Sequence, residues 1–171
     1  MNTVKILDTT ISETSINEVS NALNGRDSLK VAICNTNTVV RSYKDLNLSR
    51  VINSFDIKTP DGFPIAKSSS ILYKNNQRRV DGYNVFISTI RNGIDNNTSH
   101  YFFGSEEHIL KKLVTKLEYD FPNINIVGSY SPPIDSYQQL TQEKYINNIL
   151  DTKPDIVWVS LGFPKQELFI N

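Results

Sequence analysis

The sequence predicts an α/β fold, a Rossmann-like and mostly parallel sheet flanked by helices. Three observations lead there. Short apolar runs such as Leu29 to Cys34 are continuous and bounded by polar residues, which suits strands buried on both faces. Between the runs, apolar residues recur three and four positions apart, the spacing of one helical face. Strands alternating with amphipathic helices in this way make a largely parallel sheet. Polar or glycine-bearing corners also follow four of the runs, where such sheets bind ligands.

In order, Val4 to Ile11 reads as a first strand. Ser15-Ile-Asn-Glu18 has the pattern of a capping box, and Ile16, Val19, Ala22 and Leu23 then share a helical face up to Gly25. Leu29 to Cys34 is the next strand. It ends in Asn35-Thr-Asn37, and a helical segment follows with Val39, Val40, Leu46, Val51 and Ile52. Phe55 to Thr59 is a strand leading into Pro60-Asp-Gly62. Pro60 holds Thr59 extended and Gly62 opens conformations closed to other residues, so Asp61 is presented on a stiff corner. A helix through Ile65, Ala66, Ile71 and Leu72 comes next. The basic run Lys74 to Arg79 and Val80-Asp-Gly82 follow, then a helix with Val85, Phe86 and Ile90 ending near Gly93. Asp95 to Ser99 reads as a solvated loop.

In the second half, Tyr101 to Phe103 is a strand, Gly104 a turn and Ser105 an N-cap. Glu106 and Glu107 lie in the first helical turn, and Ile109, Leu110, Leu113, Val114 and Leu117 form the stripe. Ile124 to Val127 is a strand and Ser131 to Asp135 a loop. Thr141 opens a helix with Tyr145, Ile146, Ile149 and Leu150 inward. Ile156 to Leu161 is the last strand, entering Gly162-Phe-Pro-Lys-Gln-Glu167. The 171 residues fit a single domain with a real core.

Composition narrows the function. Charge balances at 18 basic and 18 acidic residues, so no general field attracts nucleic acid or an anionic membrane. The single cysteine, Cys34, lies in an apolar run and reads as a buried, inert thiol. No signal peptide or membrane-length apolar run is present, which points to the cytosol. No Gly-x-Gly-x-x-Gly, Walker lysine loop or Asp-x-Asp pair occurs, which argues against standard dinucleotide, P-loop or metal-chelating sugar-nucleotide sites. His100, placed before a strand, and His108, on a helix, lack metal-ligand spacing and read as packing or surface residues.

Each corner alone has an ordinary structural reading. Asp61 suits any turn, Gly104-Ser105 any helix start, and Arg79 any solvated basic run. Glycine in Gly162 to Glu167 allows close approach, and Lys165 and Gln166 have the chemistry to meet a diphosphate or sugar hydroxyl. Taken in order and at these separations, the corners are more specific. An Asn-bearing strand end, Thr59-Pro-Asp-Gly62, Arg79-Val-x-Gly82, Phe103-Gly104 and Gly162-x-Pro-Lys-Gln-Glu167 resemble the WecG/TagA/CpsF family of bacterial glycosyltransferases, from roughly Leu29 to the last residue.

The resemblance implies transfer of a sugar, N-acetylmannosamine or its uronic acid, from a UDP-sugar. The implied acceptor is a polyprenyl-diphosphate-linked sugar at the inner membrane face, used for wall or surface polysaccharide. It also implies an inverting, metal-independent reaction without cofactor, and a cytoplasmic enzyme peripheral to the membrane. By position, Asp61 is the expected general base and Arg79 the group offsetting charge on the departing diphosphate. Asn37 is expected to hold the donor or nearby hydroxyls, with Asn35 beside it where the family has threonine. Gly62, Gly104, Gly162, Lys165 and Gln166 complete the expected substrate contacts. A second departure is Arg79-Val-Asp-Gly-Tyr-Asn84, where a carboxylate has moved and another has become an amide.

Family members continue past the final helix into a segment that contributes to membrane association. The expectation here is a core domain over residues 1–171, truncated at its C-terminus and prone to self-associate through an apolar edge. Two rival readings remain: a catalytically inactive nucleotide-sugar-binding or interaction module, and a hydrolase, for which no second carboxylate is seen at a comparable corner.

Overall fold

The computed structural model describes residues 1–25 and 28–171. The chain has the expected mixed α/β architecture, with parallel sheets flanked by helices, and divides into two compact units. One comprises Met1–Thr89 with Asn171, the other Ile90–Ile170.

The first unit opens on a correction. The expected single strand is a hairpin, β1 (Thr3–Ile6) pairing antiparallel with β2 (Thr9–Ser12). Leu7 turns the chain with a φ of 52°. No glycine or asparagine marks that turn, so the sequence reads straight through it. Helix α1 (Ile16–Asn24) starts on the predicted capping box: Ser15 accepts from the Glu18 N–H, and the Glu18 carboxylate accepts from the Ser15 N–H at 2.7 Å.

Strand β3 (Val31–Cys34) leads to α2 (Thr36–Lys44), α3 (Leu46–Asn53) and β4 (Ile57–Pro60). The single helical segment expected after Asn35 is thus two helices. Asp45 divides them: its extended backbone ends α2, and its carboxylate accepts from the N–H groups of Asn47 and Leu48 to begin α3. β3 and β4 are parallel, with Cys34 opposite Pro60. Helix α4 (Phe63–Tyr73) leaves β4, and α5 (Gly82–Gly93) follows the basic segment. Val19, Ile57, Val80 and Val85 form one core cluster, packed by Ile16, Leu23 and Val31. Full burial of each such side chain contributes about 1.5–3 kcal/mol.

The second unit is built on β5 (Ser99–Gly104), α6 (Glu107–Asp120), β6 (Asn125–Tyr130), α7 (Tyr137–Leu140), α8 (Glu143–Leu150), β7 (Ile156–Ser160) and α9 (Lys165–Ile170). Its sheet runs β6-β5-β7, all parallel, with every residue of β5 buried. Tyr101, Phe103, Leu140, Tyr145 and Ile149 make one core cluster, and Phe169 stacks on Phe103 with ring centroids 4.8 Å apart.

Four local expectations change here. Ser99, read as loop, is buried in β5. Ser105 does not cap α6; Glu106 holds that position, because Ser105 sits at a φ of 62° with its N–H given to the Ser160 carbonyl at 2.7 Å. Thr141 does not open a helix but separates α7 from α8, whose N-cap is Gln142. Leu150, expected inward, is exposed at the last turn of α8.

His100 lies within β5, not before it, and is a packing residue as expected. The Trp158 indole N–H donates to His100 Nδ1 at 3.2 Å. Burial pushes the imidazole down to about 4 from its usual 6.5, against a smaller upward pull from Asp155. The folded protein therefore holds His100 neutral where the unfolded chain would bind a proton. The associated stability is fully present above pH 6.5 and is lost as pH falls from there to about 4. The expected loss is roughly 3 kcal/mol across that window. Trp158, the single tryptophan, reports it directly. Denaturant midpoints followed by its fluorescence should fall between pH 7 and 4.5 in the wild type and much less in His100→Gln. Equal pH dependence in both proteins would overturn this account.

Among the described residues, no helix is long and apolar enough to cross a membrane.

Candidate active site

The Asp61 corner is built by the β3–β4 pair. The Asp61 N–H donates to the carbonyls of Cys34 and Thr59, both at 3.0 Å, so the residue is pinned to the carboxyl ends of both strands. Gly62, at a φ of 84°, turns the chain into α4, whose second residue is Pro64. Thr59 and Cys34 behind the corner are fully buried. Lys58 is buried too, and burial lowers its pKa despite the nearby Cys34 and Asp56. Its ammonium donates to the Phe55 carbonyl. Nothing in the sequence distinguishes it from an exposed strand lysine.

A second backbone contact delivers Arg79. The Val80 N–H donates to the Pro60 carbonyl at 3.1 Å, which lays residues 79–81 beside the end of β4. Arg79 Nε then sits 3.2 Å from Asp61 Oδ1 and 4.0 Å from Asp81 Oδ2. The Asp61 side chain is 19% exposed and that of Arg79 58%. The two residues expected to carry the chemistry are thus in contact, although 17 residues separate them.

Asp81, just before α5 and not at a strand end, is a second carboxylate close to Arg79. Its role is nonetheless local. Both oxygens accept from Asn84, Oδ1 from the backbone N–H at 3.0 Å and Oδ2 from the side-chain amide at 2.8 Å, which caps the start of α5. Burial raises the Asp81 carboxyl, but the Asn84 hydrogen bonds and the Arg79 charge outweigh it and hold the pKa below the usual range. The rearranged Asp81/Asn84 pattern therefore makes a self-contained helix start.

Asn35 is the N-cap of α2, accepting from the Thr38 N–H at 3.1 Å and the Thr38 hydroxyl at 3.3 Å. Asn37 lies exposed one residue into the helix.

The other expected residues lie in the second unit. Gly104 ends β5 where the backbone of β7 comes close: a Cβ there would stand 2.2 Å from the Ser160 carbonyl oxygen. Gly162 follows β7, and the Phe163–Pro164 peptide bond is cis. Lys165 gives its ammonium to the Asp135 carbonyl at 2.6 Å. Gln166 is half-buried, its N–H bonded to the Gly162 carbonyl at 3.1 Å and its side-chain amide donating to Glu167 Oε1 at 2.9 Å. Glu167 is 3% exposed. Sequence reasoning passed over it, since a glutamate in the first turn of a helix normally faces solvent.

The glycosyl transferase WecG/TagA/CpsF family model matches residues 4–171. A Bacillus spizizenii protein named N-acetylglucosaminyldiphosphoundecaprenol N-acetyl-beta-D-mannosaminyltransferase is 33% identical over 121 residues, covering 71% of this chain and 45% of that protein. A protein of the same name from Bacillus subtilis strain 168 is 30% identical over 143 residues, 82% of this chain and 53% of its own. One from Staphylococcus aureus strain NCTC 8325 / PS 47 is 25% identical over 138 residues, 81% and 50% of the two chains. The chain thus spans about half the length of the curated relatives it matches. With the family model matching from the first hairpin to the last residue, and the motif corners lying at strand ends, the chain belongs to the WecG/TagA/CpsF family of glycosyl transferases.

Proposed function

We propose that this chain is the core of a glycosyltransferase that moves N-acetylmannosamine, or a closely similar sugar, from a UDP-sugar to a sugar carried on a polyprenyl diphosphate. The relatives' names supply the sugar and the lipid-linked acceptor; the UDP donor comes from the family resemblance. The single observation that carries the reading is the Asp61 carboxylate, partly exposed at the carboxyl end of β4 with Arg79 against one oxygen.

In this reading the acceptor hydroxyl attacks the anomeric carbon of the donor while Asp61 takes its proton. The bond from that carbon to the diphosphate oxygen breaks, and UDP leaves with the electron pair. One displacement inverts the anomeric centre. Arg79 offsets the charge gathering on the diphosphate; its contact with Asp61 uses Nε, so the other N–H donors of the exposed guanidinium are available. This arrangement gives the metal-independent reaction a cation of its own. Asn37 and Asn35 serve the donor side, Asn35 through the part of its amide not used in capping. Gly62, Gly104 and Gly162 allow close approach, and Lys165 and Gln166 contact donor or leaving group. The enzyme works at the inner membrane face, where a lipid-linked acceptor is presented, and its assembly is a homo-oligomer.

A transfer assay tests the whole reading. A panel of UDP-sugars is offered with a short-chain polyprenyl-diphosphate N-acetylglucosamine acceptor, with and without EDTA. Turnover with UDP-N-acetylmannosamine that survives EDTA is expected. UDP binding without turnover from any donor would instead identify a non-catalytic nucleotide-sugar-binding module. Rapid release of free sugar would point to hydrolysis.

A further inference from the structure

Glu167 is a buried carboxyl that the proposed mechanism does not use. It is 3% exposed, Oε1 accepts from the Gln166 side-chain amide at 2.9 Å, and Oε2 is buried with no hydrogen-bond partner among the described residues. An ionised carboxylate only accepts hydrogen bonds. While Glu167 is ionised the Gln166 NH2 group must therefore face it, and the amide cannot turn over without placing oxygen against oxygen.

We propose that Glu167 is a positioning residue that fixes the Gln166 amide with its carbonyl oxygen toward the ligand. The carbonyl oxygen then accepts from a neutral O–H or N–H donor of the nucleotide sugar. This rests on the functional reading above in one respect, that Gln166 contacts the nucleotide sugar. A free glutamine presents either end of its amide; one locked by a carboxylate keeps its carbonyl oxygen turned away from that carboxylate, with the second N–H of the NH2 group as its one remaining donor. The source of the donated hydrogen is the transferred sugar, through a hydroxyl or acetamido N–H, or the uridine. Burial raises the Glu167 pKa, and the Gln166 bond opposes that rise. Protonation would remove the constraint, so the lock holds on the alkaline side of that titration.

Two measurements on the 171-residue chain test the proposal separately from the enzyme's activity. The first needs no ligand. In side-chain amide NMR spectra, the Gln166 NH2 signals should shift with pH as one carboxyl titrates, and that titration should vanish in the isosteric Glu167→Gln. Gln166 signals that ignore pH, or titrate unchanged in Glu167→Gln, overturn it. The second is calorimetric binding of UDP and of UDP-N-acetylmannosamine. Glu167→Gln and Gln166→Ala should each weaken binding roughly three- to tenfold, the loss of one hydrogen bond. The double variant should bind as Gln166→Ala does, because Glu167 acts through Gln166. Losses confined to the nucleotide sugar place the donor on the sugar; equal losses for UDP place it on uridine. Effects that multiply in the double variant overturn the positioning role. If the wild type binds neither nucleotide, the functional reading fails and the ligand half of the proposal with it, while the NMR titration still decides whether Glu167 holds Gln166.

Discussion

Asp61→Asn should lower sugar transfer by two to four orders of magnitude while leaving the protein folded and able to bind UDP-sugar. The substitution keeps the size of the side chain and removes its ability to take a proton. Positioned proton transfer contributes about 10²- to 10⁴-fold to a reaction of this type. Stability should scarcely change, because the ion pair it breaks is with a guanidinium 58% exposed. Such pairs contribute about 0–1 kcal/mol. Donor affinity should hold or rise, since Arg79 loses a competing anion at 3.2 Å. The measurement is kcat and KM for the UDP-sugar in both proteins, beside denaturant midpoints. A variant that keeps more than a tenth of wild-type kcat would remove Asp61 from the role of base. A variant that loses activity and stability together would make the corner structural.

Gly104→Ala should be the most damaging single change for the fold of the second unit. The glycine has a φ of 116°, and an added Cβ would lie 2.2 Å from the oxygen and 2.6 Å from the carbon of the Ser160 carbonyl. Both are backbone atoms of β7, whose parallel pairing with β5 matches Gly104 to Ser160. The strand cannot yield without giving up that pairing and the Ser105 N–H bond to the same carbonyl. Conformational strain of about 1–3 kcal/mol and overpacking of similar size together predict a loss of roughly 3 kcal/mol or more. Gly62→Ala is the informative comparison. Its φ is 84°, but the nearest atom to an added Cβ is Pro64 Cδ at 3.7 Å, so strain acts alone. A loss of about 1–2 kcal/mol is expected there. Chemical denaturation read by Trp158 suits Gly104→Ala, and circular dichroism suits Gly62→Ala. Equal losses at the two glycines would show that the contact with β7 is not what makes Gly104 necessary.

The elements written locally in the sequence were the readable ones. The capping box of α1 lies within four consecutive residues, and the stripe of α6 needs only helical spacing, although Ile109, expected in that stripe, is exposed. The corner at Asp61 was legible because Pro60 restricts the backbone and Gly62 opens the positive-φ region, each by its own covalent structure. Alternation of strands and helices was enough for the fold class, since burying both faces of a sheet demands that pattern. The ordered set of strand-end motifs was enough for the family.

What the sequence could not carry were outcomes set by partners far along the chain. The turn at Leu7 is imposed by pairing of β1 with β2, and Ser105 is taken from its capping role by the carbonyl of Ser160. Arg79 reaches Asp61 only because Val80 hydrogen-bonds to Pro60, while Asp81 turns inward to cap α5. Glu167 and Lys58 look in sequence like any surface charges, and only packing reveals them as buried. The division has a physical reason. Propensity, capping and side-chain periodicity act within a few residues and can be read from neighbours, whereas burial and the pairing of charges are decided by which distant segments the fold brings against them.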